Sequence, residues 1–156
     1  MPVESDGAGL RGGKPEMFLG TKFNEQHPAF SPDGNWLAYS SDESGRREIY
    51  VQPYPGPGGK WQISAGGGGQ PQWRRDGREL YYLAPDNRFM AVGLGVDPRF
   101  PTSAPRVLFE APPSVADLGL GYAVTSDGQR FVILLEVESN PTAATVVVNW
   151  TKQLKQ

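Results

Sequence analysis

The chain has 156 residues, no cysteine and a single histidine, His27. Without cysteine there are no disulfides, thiolate metal sites or thiol nucleophiles. One histidine cannot build a metal cluster that needs two. No uninterrupted apolar run approaches the ~18 residues that a membrane span requires, so no direct membrane insertion is expected. The N-terminal stretch "MPVESDGAGLRGGKP" lacks a basic segment followed by an apolar one. It therefore does not read as a signal peptide. Residues 1–13 read instead as a flexible lead-in, or as a start inside a longer gene. A formal charge of −2 with mixed signs along the chain gives no electrostatic basis for nucleic acid as a partner.

What the chain has in quantity is glycine (20 residues) and proline (15), alongside 11% aromatics. Together these indicate many tight turns between short strands. Three Asp-Gly pairs, Asp33-Gly34, Asp76-Gly77 and Asp127-Gly128, are spaced by 43 and 51 residues. They lie in "HPAFSPDGNWLAY", "QPQWRRDGRELYY" and "GYAVTSDGQRFVI". Three residues before each Asp stands Phe30, Trp73 or Val124; four after it, Leu37, Leu80 or Phe131; six after it, Tyr39, Tyr82 or Ile133.

A second turn follows each pair, "DESG" at 42–45, "PDN" at 85–87 and "SNP" at 139–141, and then another β-rich run. The first two units add a further short run, "KWQIS" and "RVLFE". Three or four hairpin-connected strands repeating every 40 to 50 residues or so are the pattern of a β-propeller blade. The fold class expected is all-β, with about three four-stranded antiparallel blades forming a partial ring. The blades are expected at about 24–65, 68–111 and 119–151, within a propeller segment 14–156. "PEMFLG" at 15–20 reads as the last strand of a preceding blade. Near-continuous apolar runs such as "RFVILLEV" suit strands covered on both faces. Only the tail "TKQLKQ" looks helical.

In "SPDG", Pro32 presets φ for the second turn position, Asp33 tolerates the third, and Gly34 supplies a positive φ, closing a three-residue hairpin. Asp76-Gly77 and Asp127-Gly128 recur in register, so these turns read as architecture rather than chemistry. His27, Ser31 and Asp33 lie too close on one hairpin for a catalytic triad, and no Gly-x-Ser-x-Gly elbow is present. "GAGLRG" at 7–12 follows no strand and opens no helix, so it is a chance match to a dinucleotide fingerprint. Asp42, Glu43 and Glu48 could suggest a cation site, but their spacing lacks the alternating ligands of a calcium loop and reads as a solvated turn. "WRRDGR" reads as Trp73 inside with Arg74, Arg75 and Arg78 at the rim. "NWT" at 149–151 fits a glycosylation sequon, although Trp150 ends an apolar run. No catalytic, cofactor-binding or metal-binding residue is assigned.

"AFSPDGNWLAYSSDESGRREIYVQPYPG" resembles the TolB-type, WD-repeat-like propeller repeat of bacteria. "GKWQIS", "GGQPQWRRDGRELYYLAPDNRFMAV" and "VVVNW" are similar to the C-terminal propeller of bacterial membrane-anchored serine/threonine protein kinases. The resemblance covers about residues 14–156; the third repeat departs from it, with "VTSDGQ" in place of the FSPDG signature. It implies a non-catalytic sensor or interaction module in an extracytoplasmic, periplasmic setting, with a protein or small ligand as partner. None of the kinase motifs is in this chain.

Propellers close with four to eight blades, so about three leave an arc with open faces. The expectation is a fragment of a larger propeller, or a homo-oligomer that completes the ring. Two other functions compete. One is the gating propeller of a prolyl-oligopeptidase-like hydrolase, which needs an α/β domain with a serine elbow. The other is a self-catalytic propeller such as a calcium-dependent lactonase or a glycosidase. That would need carboxylate or Asn ligands at the inner-strand starts, where His27, Gln70 and Gly121 stand.

Overall fold

The computed structural model describes residues 3–5, 10–12, 14–95, 103–111, 122–137 and 140–148. Every regular element among them is a strand. Residues 1–13, expected as a flexible lead-in, carry β1 (Val3–Ser5) paired antiparallel with β2 (Leu10–Gly12), which includes part of the "GAGLRG" stretch. The "TKQLKQ" tail and the "NWT" sequon lie outside the described residues, the sequon's Asn149 included.

Blade 1 is the meander β3 (Gln26–Phe30), β4 (Trp36–Ser41), β5 (Glu48–Pro53) and β6 (Trp61–Gln62). Blade 2 repeats it with β7 (Gly69–Trp73), β8 (Glu79–Leu83), β9 (Arg88–Gly93) and β10 (Arg106–Glu110). Blade 3 comprises β11 (Tyr122–Val124), β12 (Arg130–Val137) and β13 (Asn140–Val148). All pairs are antiparallel, and each four-stranded sheet keeps sequence order.

The apolar runs have a simple cause. Alternate residues of a strand point to opposite faces, so a sheet packed on both sides needs apolar residues at every position. In "ELYYL", Leu80 and Tyr82 face blade 1, joining Ala38, Ile49, Val51 and Ile63 in one core. Tyr81 and Leu83 face blade 3, joining Phe89, Leu108, Tyr122, Phe131 and Ile133 in a second core. That second core is aromatic, with Phe89 edge-on to Tyr122 at 4.7 Å and Phe109 edge-on to Phe131 at 5.3 Å. Polar cross-links accompany the packing. Trp73 Nε1–H donates to Ala29 O at 3.0 Å, and the Tyr122 hydroxyl donates to Gln70 O at 3.0 Å.

The other face of blade 1 carries Leu37, Tyr39 and Tyr50, and Phe18 and Leu19 pack on it. This corrects the expectation for "PEMFLG": residues 15–20 form no strand. A strand needs a neighbouring backbone to bond to, and among the described residues no strand pairs with this segment. The segment is held by side chains instead, with the Phe18 ring 4.8 Å from that of Tyr54.

Candidate functional site

The three Asp-Gly turns share one geometry. Gly34, Gly77 and Gly128 have φ of 72°, 72° and 71°. Their amides donate to Ser31 O, Arg74 O and Thr125 O at 2.9, 2.9 and 2.8 Å. Each Asp accepts the amide two residues on, from Asn35, Arg78 and Gln129, at 3.1, 3.0 and 3.0 Å. The Ser31, Arg74 and Thr125 side chains also donate to Asp33, Asp76 and Asp127. These hydrogen bonds favour the charged form and hold all three carboxyls below their ordinary range, Asp76 at about 2. The loops are longer than the three-residue hairpin expected. Ser31 N donates to Trp36 O at 2.9 Å, enclosing four residues, because the Ser31 hydroxyl also accepts the Trp36 amide. Pro32 lies exposed at the head of the first turn.

At the other end of the inner strands the backbone does something sequence reading did not foresee. His27 and Gln70 stand 43 residues apart, the spacing of the first two Asp-Gly pairs. Both have positive φ, 53° and 56°, and both sit where the pairing register slips. A non-glycine residue in this region is strained and persists only where its surroundings hold it. The equivalent third position, Gly121, lies outside the described residues. The signal was present in the sequence as the repeat offset; nothing in residue type announced a bulge.

His27 and Gln70 line a groove of about 420 Å³ between blades 1 and 2, together with Asp42, Arg46, Arg47 and Gly67 to Gly69. Gln70 Oε1 is buried without a hydrogen-bond partner. His27 Nδ1 lies 3.4 Å from Ser40 Oγ, and Ser31 bonds Asp33 at the far end of β3, so the imagined triad is not assembled.

Glu48 anchors the groove wall. Its side chain is fully buried, which corrects the reading of Glu48 as part of a solvated turn, while Asp42 stands exposed in the turn as expected and Glu43 is half-buried. Both carboxylate oxygens accept the Gly67 amide at 3.0 Å, the Ser64 hydroxyl donates to Oε2, and Arg46 Nε donates to Oε1 at 2.8 Å. The charge is thus neutralised and its lone pairs filled. The glycines follow from this. A Cβ on Gly68 would meet Ile49 Cγ1 at 2.9 Å, and Gly67 has φ +94°. Asp42 accepts the Asn24 amide at 2.9 Å, and Glu43 pairs with Lys60. Among the described residues no group of three or more His, Asp or Glu side chains could hold a metal ion.

No family model matches the chain, and no curated protein matches its sequence. Among solved structures, TolB from Acinetobacter baumannii aligns with a TM-score of 0.60 and 20% identity, covering 86% of this chain and 34% of that one. The chain is an arc of a β-propeller. A chain of the nidogen/laminin complex aligns with a TM-score of 0.60 and 16% identity, covering 94% of the arc and 52% of that chain. Oligogalacturonate lyase from Vibrio parahaemolyticus aligns at 0.53 and 17%, covering 80% of the arc and 34% of the lyase. The arc thus spans about a third of the TolB and lyase chains and about half of the nidogen/laminin one. At these identities the likeness is one of fold. A lyase shares that fold, so what the arc does must be argued from its own grooves. No helix among the described residues is long and apolar enough to cross a membrane.

Proposed function

We propose that the arc is a non-catalytic interaction module, the C-terminal part of a larger propeller that serves as sensor domain of a bacterial membrane-anchored serine/threonine kinase. The observation that carries the reading is the groove at His27 and Gln70. It is concave and spans two blades, and left-handed backbone presents both residues at its edge. Gln70 Oε1, beneath the groove surface, is shielded from solvent and has no hydrogen-bond donor. The wall pinned by Glu48 holds this shape before any ligand arrives, which lowers the cost of binding. The nidogen/laminin complex is a precedent for protein recognition on this fold. The sequence resemblance to kinase C-terminal propellers supplies the kinase context and the extracytoplasmic setting.

Two measurements test the reading. The reading frame continuous with this chain should encode a kinase motif set and a membrane span; an α/β domain with a Gly-x-Ser-x-Gly elbow would instead support the hydrolase-associated propeller. Panning the chain against random peptides displayed on phage should enrich sequences that bind it and fail to bind the Arg47→Ala/Gln70→Ala double variant. Binders indifferent to that variant would move recognition away from this groove.

A further inference from the structure

A second groove, of about 660 Å³, opens at the opposite end of blades 1 and 2, between the first two Asp-Gly turns. Its floor is apolar: the half-buried rings of Trp36 and Trp73, with the buried Leu94 beside them. The Trp73 N–H is already spent on Ala29 O, and Trp36 packs edge-on to Trp61 at 6.3 Å. These rings therefore sit in fixed positions.

The rim is charged, but its two signs are not equally occupied. Asp33 accepts from Ser31, from the Asn35 amide and from the Asn35 side chain. Asp76 accepts two bonds from Arg74 and one from the Arg78 amide. The turn amides of Gly34 and Gly77 are also consumed. Arg75 and Arg78, both on the rim, make no ion pair or side-chain hydrogen bond with any described residue. Asp76 is paired with Arg74, whereas the donors to Asp33 are neutral and leave it an exposed anion. Against that one carboxylate stand the exposed guanidinium groups of Arg75 and Arg78, the latter also attracted to Asp76. The chain as a whole is slightly acidic, so this local surplus of available cation is set by the turns rather than by composition.

We propose that this groove binds a short acidic peptide segment of a partner protein, with an apolar side chain laid on Trp36 and Trp73 and flanking carboxylates paired with Arg75 and Arg78. Planar guanidinium groups match carboxylates in bidentate geometry. Indole faces take aliphatic or aromatic side chains without needing further polar partners. A segment rich in unpaired main-chain groups would find few donors here, because the turn amides are used, so side chains carry the recognition. Exposed ion pairs are individually weak and screened by salt. The expected affinity is therefore modest, with Kd on the order of 10 to 500 μM at low salt, weakening several-fold at about 0.5 M salt. The proposal adds a surface to the interaction module and rests on that reading.

The test is fluorescence anisotropy of the full chain with a labelled Glu-Glu-Leu-Phe-Glu-Glu peptide. Its comparators are Lys-Lys-Leu-Phe-Lys-Lys and a hexameric oligogalacturonate. The proposal expects saturable binding of the acidic peptide alone, at least about tenfold weaker for Arg75→Glu/Arg78→Glu. Those two side chains make no ion pair or side-chain hydrogen bond with a described residue, so far-UV circular dichroism should be unchanged. The Arg47→Ala/Gln70→Ala variant should bind normally. Failure to bind the acidic peptide below about 1 mM, or equal binding by the charge-reversed variant, overturns the proposal. Preference for the uronate hexamer also overturns it, in favour of a glycan site. If the acidic peptide binds and only Arg47→Ala/Gln70→Ala abolishes it, this groove is excluded while the interaction-module reading stands.

Discussion

Glu48 receives the amide of Gly67 on both of its carboxylate oxygens at 3.0 Å, tying β5 of blade 1 to the glycine-rich connection that leads into blade 2. The bond couples two levels of the structure. It satisfies a buried charge, and it fixes the chain where one blade hands over to the next.

Glu48→Ala should therefore destabilise the chain by about 2–5 kcal/mol, because it leaves the buried Gly67 amide and Ser64 hydroxyl without an acceptor, while the largely exposed Arg46 returns to water. Glu48→Gln keeps an acceptor and should cost less, roughly 1–3 kcal/mol. Urea denaturation followed by tryptophan fluorescence measures both. Equal losses for the two variants would mean that volume, not hydrogen bonding, is what Glu48 supplies.

The equivalent turn glycines should respond unequally to alanine. A Cβ added at Gly34 would find nothing within 4 Å, so Gly34→Ala meets only the cost of φ +72°, about 1–2 kcal/mol. At Gly128 the Cβ would run into the Tyr81 hydroxyl oxygen and stand 3.0 Å from Arg74 Cδ. Gly128→Ala should lose more than Gly34→Ala, and Tyr81→Phe in the same chain should recover part of the excess. Thermal unfolding of the three variants decides it.

Phe131 is fully buried and meets Tyr81, Phe89 and Phe109 edge-on at 5.3, 5.8 and 5.3 Å. Phe131→Ala should cost about 3–5 kcal/mol and loosen blade 3 from blade 2. Hydrogen exchange should then rise in β11 before β4. Uniform exchange across both would show that the blades unfold as one unit.

Acid should weaken the Asp-Gly turns. The Arg74 side-chain hydrogen bonds lead in holding the Asp76 carboxyl at about 2, against an ordinary 3.8. A carboxyl depressed in the folded state adds stability that is present above about pH 4 and lost as pH falls through about 2. Ser31 and Thr125 hydroxyls act likewise on Asp33 and Asp127. Urea midpoints measured across this window should fall, and the fall should be shallower for Asp76→Asn. At about pH 7 the same substitution should cost under about 1 kcal/mol, since the Asp76 side chain is 46% exposed.

Alkali should act through the tyrosines. Burial pushes the Tyr82 hydroxyl up to about 12 from 10.0. Because the folded value lies above the unfolded one, stability is held below about pH 10 and lost as pH rises towards about 12. Tyr82→Phe should flatten this loss, as read from phenolate absorbance and unfolding midpoints together.

Strand content, the three turns and the blade spacing are all written in the amino-acid order. Those features are local: an Asp-Gly pair needs only its own backbone to turn, and Leu37, Leu80 and Phe131 keep their offset from it wherever the blade sits. Both-faced burial was legible too, because "ELYYL" has no polar position to spare for solvent beyond its first residue. The remaining features depend on neighbours distant in sequence. Glu48 read as a surface acid until Ser64 and Gly67 came round to bury it. "PEMFLG" read as a strand, yet a strand exists only where a second backbone offers its hydrogen bonds. His27 and Gln70 carry no mark of left-handed backbone in their residue types; the slipped register of β3 on β4 and of β7 on β8 imposes it. The unequal occupation of Asp76 and Arg75, one committed and one open, is likewise a fact of geometry, since the letters "RRDGR" do not say which arginine turns inward.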